Sequence, residues 1–496
     1  MNISAWVFSR WMALIYLVAF CSLGTQVLGL IGSHGILPSV DFLHYISQQL
    51  GSSRFWAAPT LCWFNSSDGF LLFLCWGGAL LSILFFLGFM PGLTAFLLWF
   101  FYMSLTVVGQ DFLGFQWDNL LLEAGFLLIF LVPNLFRVEF KPSFRPSIIV
   151  IWLLRWLLFR LMFESGMVKL LSGDLNWTHL TALTYHYWTQ PLPNIVSWYA
   201  NQLPLWFQKL SCALLFGVEL IFPFFIFCGR WGRLIAFFGI TSLQLLIILT
   251  GNYCIFNLLA IGLCLTLLED EHWSGVKRPN GKDVSAGVIA SAAKQSFIKK
   301  GTSTQDGGIF YKVLTVALSL LIVIVSVGLM TDSLWRIPLP KPVEKLITAV
   351  SPMRSINNYG LFAVMTTERN EIILEGSNDG ETWLPYEFRY KPGDINQAPK
   401  WAMPFQPRLD WQMWFAGLSS WRENPWVETL MTKLLQGEPT VVNLLADNPF
   451  KDHPPRYIQA TFWGYHFTNF KTKGLRGPWW HREIKGLYCP TISLNQ

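Results

Sequence analysis

The stretch IIVIWLLRWLLFRLMFESGMVKLL (Ile148–Leu171) sets Arg155, Arg160, Glu164 and Lys169 in a run long and apolar enough to cross a bilayer. Each such charge costs about 2.5–3.5 kcal/mol near a helix centre, so each needs a partner. Arg160 and Glu164, four residues apart, share a helix face. Arg155 lies about 140° around from Arg160 at 100° per residue and needs a different partner. At 1.5 Å rise per residue, Arg155 sits about 10 Å and Glu219 about 14 Å from the inner ends of their spans, which predicts a structural ion pair between them. Glu123 comes to the depth of Glu164, which predicts an outer cluster of Glu123, Arg160 and Glu164. Lys169, His186 and Gln190 extend it into the aromatic loop NWTHLTALTYHYWTQPLPN that follows the helix.

Two kinds of chemistry suit this constellation. Buried charges can tie helices in register. Alternatively, Glu164 and His186 are candidates for acid–base work, since an unperturbed imidazole titrates near pH 6.5. No Ser-His-Asp order, HExxH, phosphate-binding loop or dinucleotide fingerprint accompanies them. No CxxC or metal-ligand spacing appears, so no metal or cofactor is implied. Asn65-Ser66-Ser67 and Asn176-Trp177-Thr178 are formal glycosylation sequons. In the tail, Arg408, Asp410, Trp411 and Trp414, with Trp479 and Trp480, have the Trp/Arg character of binding hot spots. They are expected to form a client-binding surface, or else to pack the tail.

The elements that position these residues are membrane helices. The 496-residue chain is 53% hydrophobic and only 13% charged, against about 25% charged in soluble domains. Its 25 Trp fit interfacial belts, and the net charge of +6, spread over loops, argues for membrane orientation rather than nucleic-acid binding. Nine spans are expected: Trp11–Ile31, Phe70–Met90, Leu93–Val108, Asn119–Leu135, Ile148–Leu170, Leu205–Cys228, Leu234–Thr250, Tyr253–Leu268 and Lys312–Met330. Arg137, Lys141 and Arg145, then Arg230 and Arg233, then Lys277, Arg278, Lys282, Lys294, Lys299 and Lys300 mark three cytoplasmic loops. That places the loops at 32–69 and 172–204, and everything after Met330, outside.

The chain is thus expected to be a helical polytopic membrane protein with a C-terminal β-rich (α+β) domain. The divisions are a bundle at 1–268, a basic cytoplasmic linker at 269–310, a last helix at 311–334 and an external domain at 335–496. In that domain Phe362–Thr366, Glu371–Glu375 and Tyr386–Tyr390 read as strands, Ser377–Gly380 as a turn and Trp426–Leu435 as a helix.

The blocks WDNLLLEAGFL (Trp117–Leu127), RLMFESGMVKLLSGDLNW (Arg160–Trp177), LTYHYWTQPLPN (Leu183–Asn194), NNYGLFAVMTTERNEIILEGS (Asn357–Ser377), YEFRYKPGD (Tyr386–Asp394) and QPRLDWQMWFAGL (Gln406–Leu418) together resemble the lipase maturation factor family. Phe405 departs from it, standing where the family pattern has His before QPRLDW. The resemblance implies a multi-pass membrane protein of the endoplasmic reticulum, or of the inner membrane if the chain is bacterial. It implies a chaperone-like role toward secreted lipases, and a distant fold relation to the vitamin K-dependent carboxylase group. A membrane-embedded enzyme acting on a lipid or peptide at the outer charged pocket is the alternative.

Overall fold

The computed structural model describes residues 2–133, 146–274 and 309–494. Arg137, Lys141 and Arg145, and the linker stretch from 275 to 308, lie outside the described residues.

Among the described residues nine helices carry the bundle: α1 (Asn2–Gly24), α2 (Asp68–Leu87), α3 (Pro91–Val108), α4 (Gln116–Leu131), α5 (Ile148–Leu171), α6 (Leu205–Phe225), α7 (Arg230–Thr250), α8 (Phe256–Leu265) and α9 (Ile309–Trp335). Their ends follow local chemistry. Ser67 caps α2 by accepting the Phe70 N–H, and Gly88 closes it in the left-handed region at φ 83°. Pro91 opens α3, where a missing N–H costs nothing. Six of the nine, α1, α2, α3, α6, α7 and α9, are long and apolar enough to cross a membrane. The remaining three expected spans are helical but fall short: α4 has 16 residues, α8 has 10, and α5 carries its four ionic side chains.

After α9 the chain forms an amphipathic helix α10 (Lys341–Val350), then a sheet whose strands are β1 (Arg369–Ser377), β2 (Leu384–Pro385), β3 (Tyr457–Phe467) and β4 (Trp480–Ile492). The strand order is β2-β1-β3-β4, antiparallel throughout. Helices α11 (Arg408–Ala416) and α12 (Pro425–Leu435) lie between β2 and β3 in the chain. The expected strand Glu371–Glu375 falls within β1, and the expected turn is made by Ser377 and Asp379 with Gly380 at φ 80°. Tyr386–Tyr390 is not a strand, since the ladder stops at Pro385. Phe362–Thr366 is not one either. Its main chain is spent on the bundle: the Phe362 carbonyl accepts Trp177 Nε1–H at 3.0 Å, and the Met365 N–H donates to Asp174 at 2.6 Å.

One apolar core runs from Phe8 and Tyr16 of α1, through Leu121 and Leu158, to Leu430 of α12 and Tyr488 of β4. The C-terminal sheet and the bundle therefore share an interior.

Candidate functional site

Of the three residues expected as an outer cluster, Glu123 and Arg160 pair directly and Glu164 is linked to them through Tyr359, which belongs to a segment that closes over them. Glu123 of α4 and Arg160 of α5 form a buried ion pair. The second Glu123 oxygen accepts from Asn357 N–H at 2.9 Å and from Tyr359 Oη–H at 2.8 Å. Arg160 also donates to the Asn357 carbonyl at 2.7 Å, and Glu164 accepts the Tyr359 N–H at 2.7 Å. The stretch Asn357–Gly360 thus plugs the space into which the cluster was expected to open. Glu164 Oε1 is left buried without a hydrogen bond.

The Arg155–Glu219 pair is corrected by the structure. Both Glu219 oxygens accept from Lys169 Nζ at 2.9 Å, and Lys169 also donates to the Ser165 carbonyl. Arg155 donates to the Thr266 carbonyl at 2.8 and 3.1 Å and stacks over Trp152. The reason is geometric. Phe227 stacks on Trp152, while Glu219 packs against Gly166, so the short run at the end of α6 faces a much longer run of α5. The two helices are inclined, and equal rise does not give equal depth. A π turn at Gly217–Ile221 also rotates Glu219 off the helical register.

His186 and Gln190 sit apart from that cluster, around Tyr253. Tyr253 Oη is 3.0 Å from His186 Nε2 and donates to Gln190 Oε1 at 3.0 Å. Phe362 lies edge-on to the imidazole at 4.9 Å. Burial, and secondarily Lys169, push the His186 pKa down to about 4, so it is neutral at physiological pH. Just beyond, the helix Ala182–Thr189 ends against Arg369 of β1. That guanidinium donates to the carbonyls of Trp188 (3.1 Å), Gln190 and Pro191 (2.9 Å). It satisfies orphan acceptors of a helix C-terminus with a cation. Glu371 balances it at 2.6 Å and takes Lys391 at 2.9 Å.

The tail residues expected at a client-binding surface are inside. Arg408, Asp410, Trp411, Trp414 and Trp480 are buried and Trp479 is half-buried. Arg408 enters the bundle: it pairs with Asp118 at 2.8 Å, donates to the Phe112 carbonyl at 2.8 Å and reaches Tyr102 Oη at 3.1 Å. Asp410 accepts the N–H groups of Tyr390 (2.7 Å) and Lys391 (2.9 Å), while burial raises its pKa. Trp414 donates to the Thr189 carbonyl at 2.9 Å, and Trp479 packs on Trp198 at 5.3 Å. The hot-spot composition is that of an interface within one chain.

Sequence reasoning passed over Asp118, Asn252, Asn357, Tyr359 and Arg369. Asn252 bridges the Leu192 and Lys400 carbonyls and accepts from Ala402 N–H at 2.8 Å. Asp118, beside Glu123 in the same short helix, carried the same signal of an expensive buried charge. Among the described residues no group of three or more His, Cys, Asp and Glu is placed to hold a metal.

Known proteins bear on this arrangement. The family described as lipase maturation factor transmembrane domain matches residues 3–275, and the lipase maturation factor C-terminal domain matches residues 355–490. Lipase maturation factor 2 of Xenopus tropicalis is 36% identical over 97% of this chain and 81% of its own length. Lipase maturation factor 2 of Homo sapiens is 34% identical over 99% of this chain and 82% of its own length. Lipase maturation factor 1 of Mus musculus is 34% identical over 99% of this chain and 87% of its own length. No solved structure matches. The first match spans the bundle and the second the sheet that Arg369 and Arg408 lock onto it, so both halves of this integral membrane protein lead to one conclusion: the chain belongs to the lipase maturation factor family.

Proposed function

We propose that this protein is a membrane-bound maturation factor that assists secreted lipases in folding and assembly, acting from the side of the bilayer that carries its C-terminal sheet. The observation that carries this reading is similarity to lipase maturation factors along nearly the whole chain, with both family domains present in order. The C-terminal side is the endoplasmic reticulum lumen in a eukaryotic host and the periplasm in a bacterial one. Arg230 and Arg233 support that orientation. They pair with Glu271 and Glu269 at the end of α7 away from Thr250, and Glu271 precedes Lys277 by only six residues in the sequence.

In this reading the buried charges serve architecture. Glu123, Arg160 and Glu164 hold Asn357–Gly360, Asp118 holds Arg408, and the loop from Trp188 to Pro191 holds Arg369. A catalytic role for Glu164 or His186 gains no support, because Tyr359 and Phe362 cover them.

The test is a secreted lipase produced in cells with and without this protein. Lipase activity per unit of lipase mass is expected to fall in its absence, with lipase synthesis unchanged. Equal specific activity in both cells overturns the reading.

A further inference from the structure

β4 is a margin of the sheet, with β3 on one side only. The Thr468 N–H donates to the Trp479 carbonyl at 3.0 Å, and Phe467 lies opposite Trp480. The alternation of an antiparallel ladder then turns the N–H and C=O of Trp480, Arg482 and Ile484 away from β3. Trp480 uses its outward N–H on the Ile395 carbonyl at 3.2 Å. Beyond it, among the described residues, no backbone group from His481 to Ile492 bonds to anything but β3.

The open row is short. Lys485 is held back by Glu368 at 2.6 Å and Asn370 at 2.9 Å. The register then slips opposite Phe462–Trp463, with Gly486 at φ 139°. A bulge and charges are how edge strands avoid indefinite pairing, yet His481–Ile484 stays regular, and the Ile484 side chain is 63% exposed. At the Trp480 end a cleft of about 440 Å³ opens, lined in part by Asn201, Gln202, His466, Phe467, Trp480 and Arg482.

We infer that the open margin of β4 from His481 to Ile484 docks an extended segment of a client lipase that has not yet folded. The segment adds to the sheet as a fifth strand, and its continuation enters the cleft. This rests on the maturation reading above. Recognition through main-chain hydrogen bonds is indifferent to sequence and requires a strand without a partner. An unfolded chain offers such strands, and a folded lipase has already paired its own.

The experiment uses the full chain in nanodiscs, with a reduced and alkylated secreted lipase as the probe and the native lipase as the control. Ile484→Pro removes an outward N–H without touching the ladder to β3, and Ile484→Ala tests the side chain alone. The wild type is expected to capture the reduced lipase and ignore the native one. Ile484→Pro is expected to weaken capture about tenfold, as one lost main-chain hydrogen bond implies, with Ile484→Ala near wild type. Because proline could disturb the strand, hydrogen exchange on the wild type gives a second reading: the Arg482 and Ile484 amides should slow when the lipase is bound. Unchanged exchange at both amides in the bound state overturns the inference and leaves the maturation reading standing. So does failure to capture reduced lipase by a protein that still raises lipase activity in cells. Doubling of the particle mass that is lost in Ile484→Pro identifies a second copy as the occupant and also overturns it. Loss of the cellular effect itself is the separate failure of the maturation reading.

Discussion

Arg408 and Asp118 are 290 residues apart in the chain and 2.8 Å apart in space, both wholly buried. Removing one partner of such a pair strands the other charge and costs about 3–5 kcal/mol, whereas replacing both by apolar residues of similar size is often neutral. Arg408→Met alone is therefore expected to lower stability by about that amount, and Arg408→Met with Asp118→Leu should recover most of it. Thermal unfolding in detergent micelles reads both. His186 makes a different prediction. Its folded value of about 4 lies below the ordinary 6.5, so the unfolded chain binds more protons between those limits. Stability should fall as pH drops from about 6.5 toward 4 and rise on the return. His186→Gln, which stays neutral, should flatten that segment of the melting-temperature profile; a profile identical to wild type would remove His186 as its source.

Helix packing decides what the sequence could and could not reveal. That Arg155, Arg160, Glu164 and Lys169 need partners was readable, because the cost of a charge in an apolar helix is local. Which partner each takes was readable for Arg160 and Glu123 but not for Lys169 and Glu219. The latter depends on helix inclination and on the π turn at Gly217–Ile221, and neither leaves a periodic trace. β1 was legible from its short apolar run beside the turn signal Ser377–Gly380; β4 was not, because its slip at Gly486 breaks the two-residue period. Its first residue, Trp480, looked like surface although it is buried. Gly166 marks the contact of α5 and α6: a Cβ there would lie 2.6 Å from Leu220 Cδ2 and 3.0 Å from Glu219 Cβ. Gly166→Val is expected to push the helices apart at about 1–3 kcal/mol and to open Lys169 to amine-reactive labelling, which mass spectrometry would detect.

The whole molecule is a bundle whose interior is completed by its own C-terminal third. Composition showed the membrane class and the change of character after Met330, but an expected external domain gave no hint of a common core. Gln26 Nε2 donates to the Gln406 carbonyl at 2.9 Å, and the Gln406 N–H returns to Ser22 Oγ at 2.9 Å. Gly29 lies so close that a Cβ would meet the Thr440 carbonyl at 2.4 Å. Two outcomes follow at this scale. A chain cut within 275–308 should still purify as a complex of its halves, held by α9 on α5 through Trp156 and Ser326 (2.9 Å) and by the buried ion pairs. Residues 336–496 expressed alone should aggregate, because Arg369 and Arg408 lose every bundle acceptor; a soluble, cooperatively melting fragment would contradict the shared interior.

The long sequence separation of Asp118 from Arg408 has a consequence for biogenesis. Asp118 is laid into the bundle while Arg408, which neutralises it, has not been translated, whereas Glu123 meets Arg160 only 37 residues later. At 5–20 residues per second the ribosome needs on the order of 15–60 s to deliver Arg408. For that interval the nascent protein is itself an incomplete membrane protein with a naked carboxylate at Asp118, in need of the kind of shelter it is proposed to give to others.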